Sequence, residues 1–216
     1  MRSIVRSLLA LGVLAAAACG QAEAPPAGDS EPLPETQERV LTYDAYPEIQ
    51  IDSEESYTAV VTTNLGEMTF ELLPAEAPLA VNNFVVLARN QYYDGVVFHR
   101  LIPRFMAQSG DPTGIGTGGP GYTFAIEPPQ RPYVRGSLAM ANTGRPNSNG
   151  SQFFIVFDDL TALDRLSPDY SLFGQMVEGE DTLAKIEAVP VGVAGTGERS
   201  RPQETITITS IEIREG

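Results

Sequence analysis

Residues 136–157, GSLAMANTGRPNSNGSQFFIVF, set the architecture of this chain. Two apolar runs, residues 137–141 and 152–157, flank a ten-residue stretch in which Asn, Gly, Pro, Ser and Thr leave no periodicity to bury. Short apolar runs bounded by such residues read as strands joined by a loop. Working outward, residues 57–63 and 67–73 are β-branched or alternating runs separated by Asn64, Leu65 and Gly66, the pattern of a hairpin. Residues 96–102, 104–108 and 122–126 read as further strands, and residues 205–213 as an alternating strand placed to close a barrel against the first. Two segments carry a different period. Residues 78–90 place Leu79, Val81, Phe84, Val85 and Leu87 at three- and four-residue spacing behind Pro78, which predicts an amphipathic helix. Glu178, Glu180 and Asp181 precede Leu183, Ala184 and Ile186, so acid stands where a second helix would begin.

Composition removes several classes of chemistry. The only histidine is His99, so zinc sites built on several imidazoles and paired-histidine acid/base sites are excluded. The single cysteine, Cys19, has no partner for an internal bridge. A formal charge of −14 without a Lys/Arg cluster argues against binding nucleic acid. Gly114, Gly116 and Gly119 satisfy a G-x-G-x-x-G spacing, but Pro120 follows and the next segment reads as strand where a dinucleotide site requires a helix. Asn149-Gly150-Ser151 fits a glycosylation sequon and is read as a turn. No G-x-S-x-G element is present for a serine hydrolase.

The front of the chain is organised differently. Arg2 and Arg6 precede an apolar run, residues 8–18, that ends in small residues before Cys19, the layout of a signal peptide and too short for a ~20-residue membrane span. Residues 14–19, LAAAAC, resemble a bacterial lipoprotein processing site, which implies a signal peptide over 1–18, acylation of Cys19, and an exported, membrane-anchored protein facing the periplasm. Residues 20–56 hold ten acids against one base, Arg39, and five prolines, a composition that favours an extended spacer. Residues 19–56 are therefore read as a lipid-anchored acidic tether. Its last part, residues 43–51, is more apolar and suited to pack on the folded domain as an extended arm. The domain itself is read as residues 57–216.

Phe98-His99-Arg100-Leu101-Ile102, followed by Phe105-Met106-Ala107-Gln108-Ser109-Gly110-Asp111, resembles the first signature of the cyclophilin family. Residues 136–157 resemble its second, and Leu172-Phe173-Gly174 with the following QMVEG its late motif. The resemblance implies a mainly β fold: a closed eight-stranded antiparallel β-barrel capped by two α-helices. It also implies a cofactor-independent peptidyl-prolyl cis-trans isomerase acting on proline-containing, unfolded or partly folded exported polypeptides. By motif position, Arg100 corresponds to the catalytic arginine, and Phe105, Met106, Phe154 and Leu163 to the pocket for the proline ring. Gln108, Ala141, Asn142 and Gln152 correspond to contacts with the peptide backbone. Tyr170 occupies the place of a histidine at the pocket rim, and Ser109-Gly110 replaces a double glycine. Ala162 stands where eukaryotic members carry a tryptophan that contributes to cyclosporin binding. A monomer is expected, and the rival reading is a proline-peptide binding module or chaperone with little turnover. Arg100 discriminates between the two, since a binder needs the apolar pocket more than the guanidinium.

Overall fold

The computed structural model describes residues 39–158 and 170–216. Leu163 and Ala162, and the signal peptide, Cys19 and most of the tether, lie outside the described residues. Glu38–Gly216 is one compact unit.

The chain opens with β1 (Tyr57–Thr63) and β2 (Gly66–Leu72), an antiparallel hairpin in which Thr63 stands opposite Gly66. Helix α1 (Pro78–Arg89) follows, then β3 (Arg100–Ile102), β4 (Met106–Ser109), β5 (Ser137–Met140), β6 (Phe153–Val156) and β7 (Leu172–Glu178). Helix α2 (Glu180–Ala188), a small hairpin of β8 (Val191–Val193) and β9 (Arg199–Pro202), and β10 (Ile208–Glu215) complete the fold. Eight strands form one antiparallel sheet in the order β10-β1-β2-β7-β5-β6-β4-β3, and β8 and β9 pair separately.

That order corrects the expectation of a closed barrel. The sheet is an open half-barrel with β3 and β10 as its edges. The edges meet at the start of β10, where Gly95 N–H and Phe98 N–H donate to the Ile208 and Ile206 carbonyls and Ile208 N–H to that of Val96. One isolated bridge, Val97 to Thr207, accompanies them. The three-residue β3 pairs with β4 alone among the described strands. Two predicted strands shrink for a related reason. Residues 96–102 keep only β3 and the Val97 bridge, and residues 122–126 keep only the bridge from Phe124 to Asn149. Conversely, β7 and the β8–β9 hairpin were not predicted as strands.

Side-chain alternation divides the sheet between two apolar clusters. On one face Leu101, Ala107, Leu138, Met140, Phe153 and Ile155 join the main core with Phe84, Phe98 and Phe173. On the other face Met106, Ala139, Phe154, Val156 and Leu172 join Tyr133 and Leu73 in a smaller cluster, with Ile102, Phe105, Ala141 and Tyr170 at its margin. Helix α1 is buried from Ala80 through Ala88, including Asn82 and Asn83. A helix apolar nearly all round must be covered on more than one side. The sheet covers one side, and the arm predicted from residues 43–51 covers another. Tyr46 Oη donates to the Leu79 carbonyl (2.8 Å), Gln50 N–H to Asn82 Oδ1 (2.7 Å), and the Tyr46 ring packs 5.3 Å from Phe124. Residues 39–56, read from composition as the end of the spacer, thus belong to the compact unit.

The start of α1 has no local cap. Glu127 supplies one from a distant loop, its carboxylate accepting the N–H groups of Leu79 (2.8 Å) and Ala80 (2.9 Å). Negative charge there satisfies orphan donors and complements the helix dipole. Gly179, ahead of α2, adopts φ +103°, and a Cβ would lie 2.6 Å from the Glu67 carbonyl oxygen, so the close approach of α2 to β2 requires glycine.

Candidate functional site

The pocket-facing side of the sheet is set by register. Arg100 stands opposite Gln108, Gln108 opposite Phe154, and Phe154 opposite Ala139. These four residues form one row across β3, β4, β6 and β5 on a single face. The next row holds Ile102, Met106 and Val156. A cavity of about 80 Å³ opens there, lined by Arg100, Phe105, Met106, Gln108, Ala141, Asn142, Phe154 and Tyr170. Since a water molecule's share of liquid is ≈ 30 Å³, this is room for a few heavy atoms, the scale of a small ring. Its apolar wall is rigid: Met106 and Phe154 are buried, and the Tyr170 ring meets Phe154 edge-on at 5.4 Å. Tyr133 Oη donates to the Tyr170 carbonyl (2.7 Å), fixing the rim.

The polar wall is a directional chain of hydrogen bonds. Arg100 donates through Nε and Nη2 to both carboxylate oxygens of Glu198 (2.7 and 2.8 Å), and through Nη1 to Gln108 Oε1 (3.1 Å). Gln108 Nε2 donates to Gln152 Oε1 (2.8 Å), and Gln152 Nε2 to the carbonyls of Gly116 (3.1 Å) and Gly118 (2.9 Å). A guanidinium only donates, so it fixes the orientation of the first amide, and each amide fixes the next. The hydrogen bond from Arg100 pulls the Glu198 carboxyl down to about 2, against a smaller opposing effect of burial.

The glycine loop at the end of this chain is shaped by Asp111, whose carboxylate accepts from the N–H groups of Thr113, Gly116 and Gly118 and from the Thr113 hydroxyl. Burial raises its pKa, but these bonds outweigh it and the net shift is downward. Beside this loop a larger trough of about 800 Å³ runs from Gln108, Ala141 and Asn142 to Thr123, with Gly116–Tyr122 as one wall. The two cavities share Gln108, Ala141 and Asn142.

Eight of the residues singled out in the sequence therefore line one small cavity, and Gln152 is tied to it through Gln108. Leu163 falls outside the described residues. His99 is buried at both ring nitrogens without a hydrogen bond of normal geometry among the described residues. Burial lowers its pKa, and the charge of Arg100 acts in the same direction. Glu198 was missed. It lies 98 residues from Arg100 in a turn whose sequence, GTGE, contains no signal for a partner that only folding brings near.

Comparison with known proteins places this geometry. The family described as cyclophilin type peptidyl-prolyl cis-trans isomerase/CLD matches residues 58–213. A putative peptidyl-prolyl cis-trans isomerase of Staphylococcus saprophyticus is 40% identical over 185 residues, covering 72% of this chain and 91% of the relative. A putative bifunctional phosphatase/peptidyl-prolyl cis-trans isomerase of Streptococcus pyogenes is 36% identical over 196 residues, covering 78% of this chain. This chain spans only 41% of that relative's length. Among solved structures, a cyclophilin type peptidyl-prolyl cis-trans isomerase of Cryptosporidium parvum superposes with a TM-score of 0.68 at 36% identity, covering 74% of this chain and 99% of that one.

Proposed function

Because the chain belongs to the cyclophilin-type family of peptidyl-prolyl cis-trans isomerases, we propose that it accelerates rotation about X-Pro bonds in unfolded or partly folded polypeptides, with Arg100 acting on the twisted amide. The observation that carries the role of Arg100 is its place in the lining of a small cavity with an apolar wall, held by three hydrogen bonds.

The chemistry needs no cofactor. Cis and trans forms of an X-Pro bond differ by only about 0.5–1 kcal/mol, but partial double-bond character raises a barrier of ~18–20 kcal/mol between them. In the twisted state the imide nitrogen becomes pyramidal and regains a lone pair. A fixed guanidinium donates to that lone pair without any proton transfer. One charge-assisted hydrogen bond contributes roughly 1.5–3 kcal/mol, or about ten- to hundredfold in rate. The rest comes from preorganised dipoles and exclusion of water around the ring. Phe105, Met106, Phe154 and Tyr170 hold the proline ring, while the carbonyl before it rotates. Gln108, Ala141, Asn142 and Gln152 receive the peptide backbone along the trough, where Ala141 and Gln152 already exchange a main-chain bond (Ala141 N–H to Gln152 O, 2.9 Å).

Exchange of a short X-Pro peptide by the full chain, measured beside Arg100→Ala with peptide affinity in parallel, tests this reading. Acceleration that falls at least about tenfold in the variant, with affinity largely kept, is expected. Binding without acceleration by the unmodified chain would leave a proline-recognition module.

The front end completes the proposal: the protein is exported, cleaved before Cys19 and held at a membrane by acyl chains on that residue. Residues 1–19 support this by their order of charge, apolar run and cysteine. Two acyl chains are enough for stable anchoring where one is marginal. Mass spectrometry of the mature N-terminal peptide tests it, and an unmodified Cys19 or cleavage elsewhere overturns it.

A further inference from the structure

The β8–β9 hairpin lies against β3 and carries Glu198 at the end of its turn. That turn is internally tied: Ala194 N–H donates to the Glu198 carbonyl (2.7 Å) and Gly197 N–H to that of Ala194 (2.9 Å). Gln203 N–H donates to the Pro190 carbonyl (2.8 Å) across the base of the hairpin, and Ser200 beside it is buried. The carboxylate is therefore presented on a stiff mount, and its two oxygens engage Nε and Nη2 of Arg100 in the fork geometry that a guanidinium and a carboxylate share.

An arginine side chain has several rotatable bonds, and a half-exposed one on an edge strand samples many directions unless held. The register across β3 and β4 places Gln108 beside Arg100, but that amide offers one acceptor, Oε1, to one nitrogen, Nη1. One contact leaves the guanidinium plane free to turn about it. The two bonds to Glu198 fix the plane, and they do so from the side away from the shared cavity, since Glu198 is not among the residues that line it. Resting on the role proposed above for Arg100, we infer that Glu198 is a positioning residue for isomerisation: it locks the Arg100 guanidinium so that the edge carrying Nη1 meets the reacting amide. Glu198 touches no substrate. Its negative charge also offsets part of the guanidinium's field, which acts against the gain from positioning.

A double-mutant cycle on the full chain decides the matter, with X-Pro exchange rate and peptide affinity measured for Glu198→Ala, Arg100→Ala and the pair. Glu198→Ala is expected to lower kcat/KM about tenfold, with peptide affinity within about twofold of the parent, because misplacing a reacting group by a fraction of an ångström costs rate more than binding. In the Arg100→Ala background the same substitution is expected to change nothing. Glu198→Gln, which keeps the shape and one acceptor oxygen, is expected to fall between the parent and Glu198→Ala. It also guards against a loss due to a disturbed turn. The Arg100 Nε–H resonance, followed by heteronuclear NMR, is expected to move and broaden in Glu198→Ala. An unchanged or faster rate in Glu198→Ala, or an equal loss with and without Arg100, overturns the positioning role while the isomerase reading stands. An Arg100→Ala variant as fast as the parent would instead overturn the reading on which the inference rests.

Discussion

Phe153 and Phe154 are neighbours in one strand with opposite fates. Phe153 points into the main core, edge-on to Phe84 and Tyr93 with ring centroids 5.5 Å apart, and is fully buried. Phe154 points to the other face, where it walls the small cavity and meets Tyr170. The same division runs through β3 to β6: Leu101, Ala107, Leu138 and Ile155 support the fold, while Arg100, Gln108 and Met106 line the site. A strand's two-residue period lets one short segment serve stability on one side and chemistry on the other. The face that carries the small cavity can therefore be altered at less cost to the fold than the core face.

The largest effect expected is at Phe153. Truncation to alanine leaves a cavity in a closed aromatic cluster and should cost about 3–5 kcal/mol of unfolding free energy, read from chemical denaturation. Phe154→Ala opens the pocket toward solvent, so its loss should be smaller by at least ~1 kcal/mol, with the change appearing as weakened binding of X-Pro peptides. Equal losses of stability would break the comparison.

Gln108→Ala sharpens it within the polar wall. This substitution removes one contact to Arg100 and the orienting partner of Gln152. The neutral bond to Gln152 is worth ~1 kcal/mol and the Arg100 guanidinium keeps both its bonds to Glu198, so kcat/KM should fall about fivefold while thermal stability hardly moves. A loss as large as that of Arg100→Ala would transfer the central role from the guanidinium to the amide.

The smallest effect lies in the acid limb of stability. Glu198 is depressed from 4.5 to about 2 by Arg100. A carboxyl depressed in the folded state stabilises above its unfolded pKa, and that contribution disappears as pH falls from about 4.5 toward 2. Both partners are more than a third exposed, so screening holds the contribution below ~1 kcal/mol. Glu198→Gln should lower stability by less than ~1 kcal/mol above about pH 4.5, flatten the profile between about 4.5 and 2, and make no difference at still lower pH. A loss that persists undiminished as pH falls toward 2 would contradict the assignment.

Much of this architecture was legible beforehand because its signals are local. The hairpin at residues 63–66, the proline-started helix at 78 and the strands at 137 and 153 each depend on residues a few positions apart. Strand β7 was not, although its motif was noticed: Gly174 and Gln175 interrupt the apolar pattern, and only pairing with β2 and β5 makes the segment a strand. The β8–β9 hairpin is made of three- and four-residue strands rich in Gly and Arg, too short for a periodic signal. The barrel expected from the family resemblance proved open because its two edges share the isolated Val97–Thr207 bridge and no ladder, and no local pattern reports pairing between residues so far apart.

By itself the sequence determined the two helices, the strands that carry the site and, through their motifs, the eight residues that line the small cavity, since each of these is written in neighbouring or ordered residues. Only the tertiary structure decided that the sheet stays open, that the arm joins the compact unit by packing on α1, and that Glu198 grips Arg100. Those outcomes depend on contacts between residues tens to a hundred positions apart, and distances across a fold exist only once the chain has closed on itself.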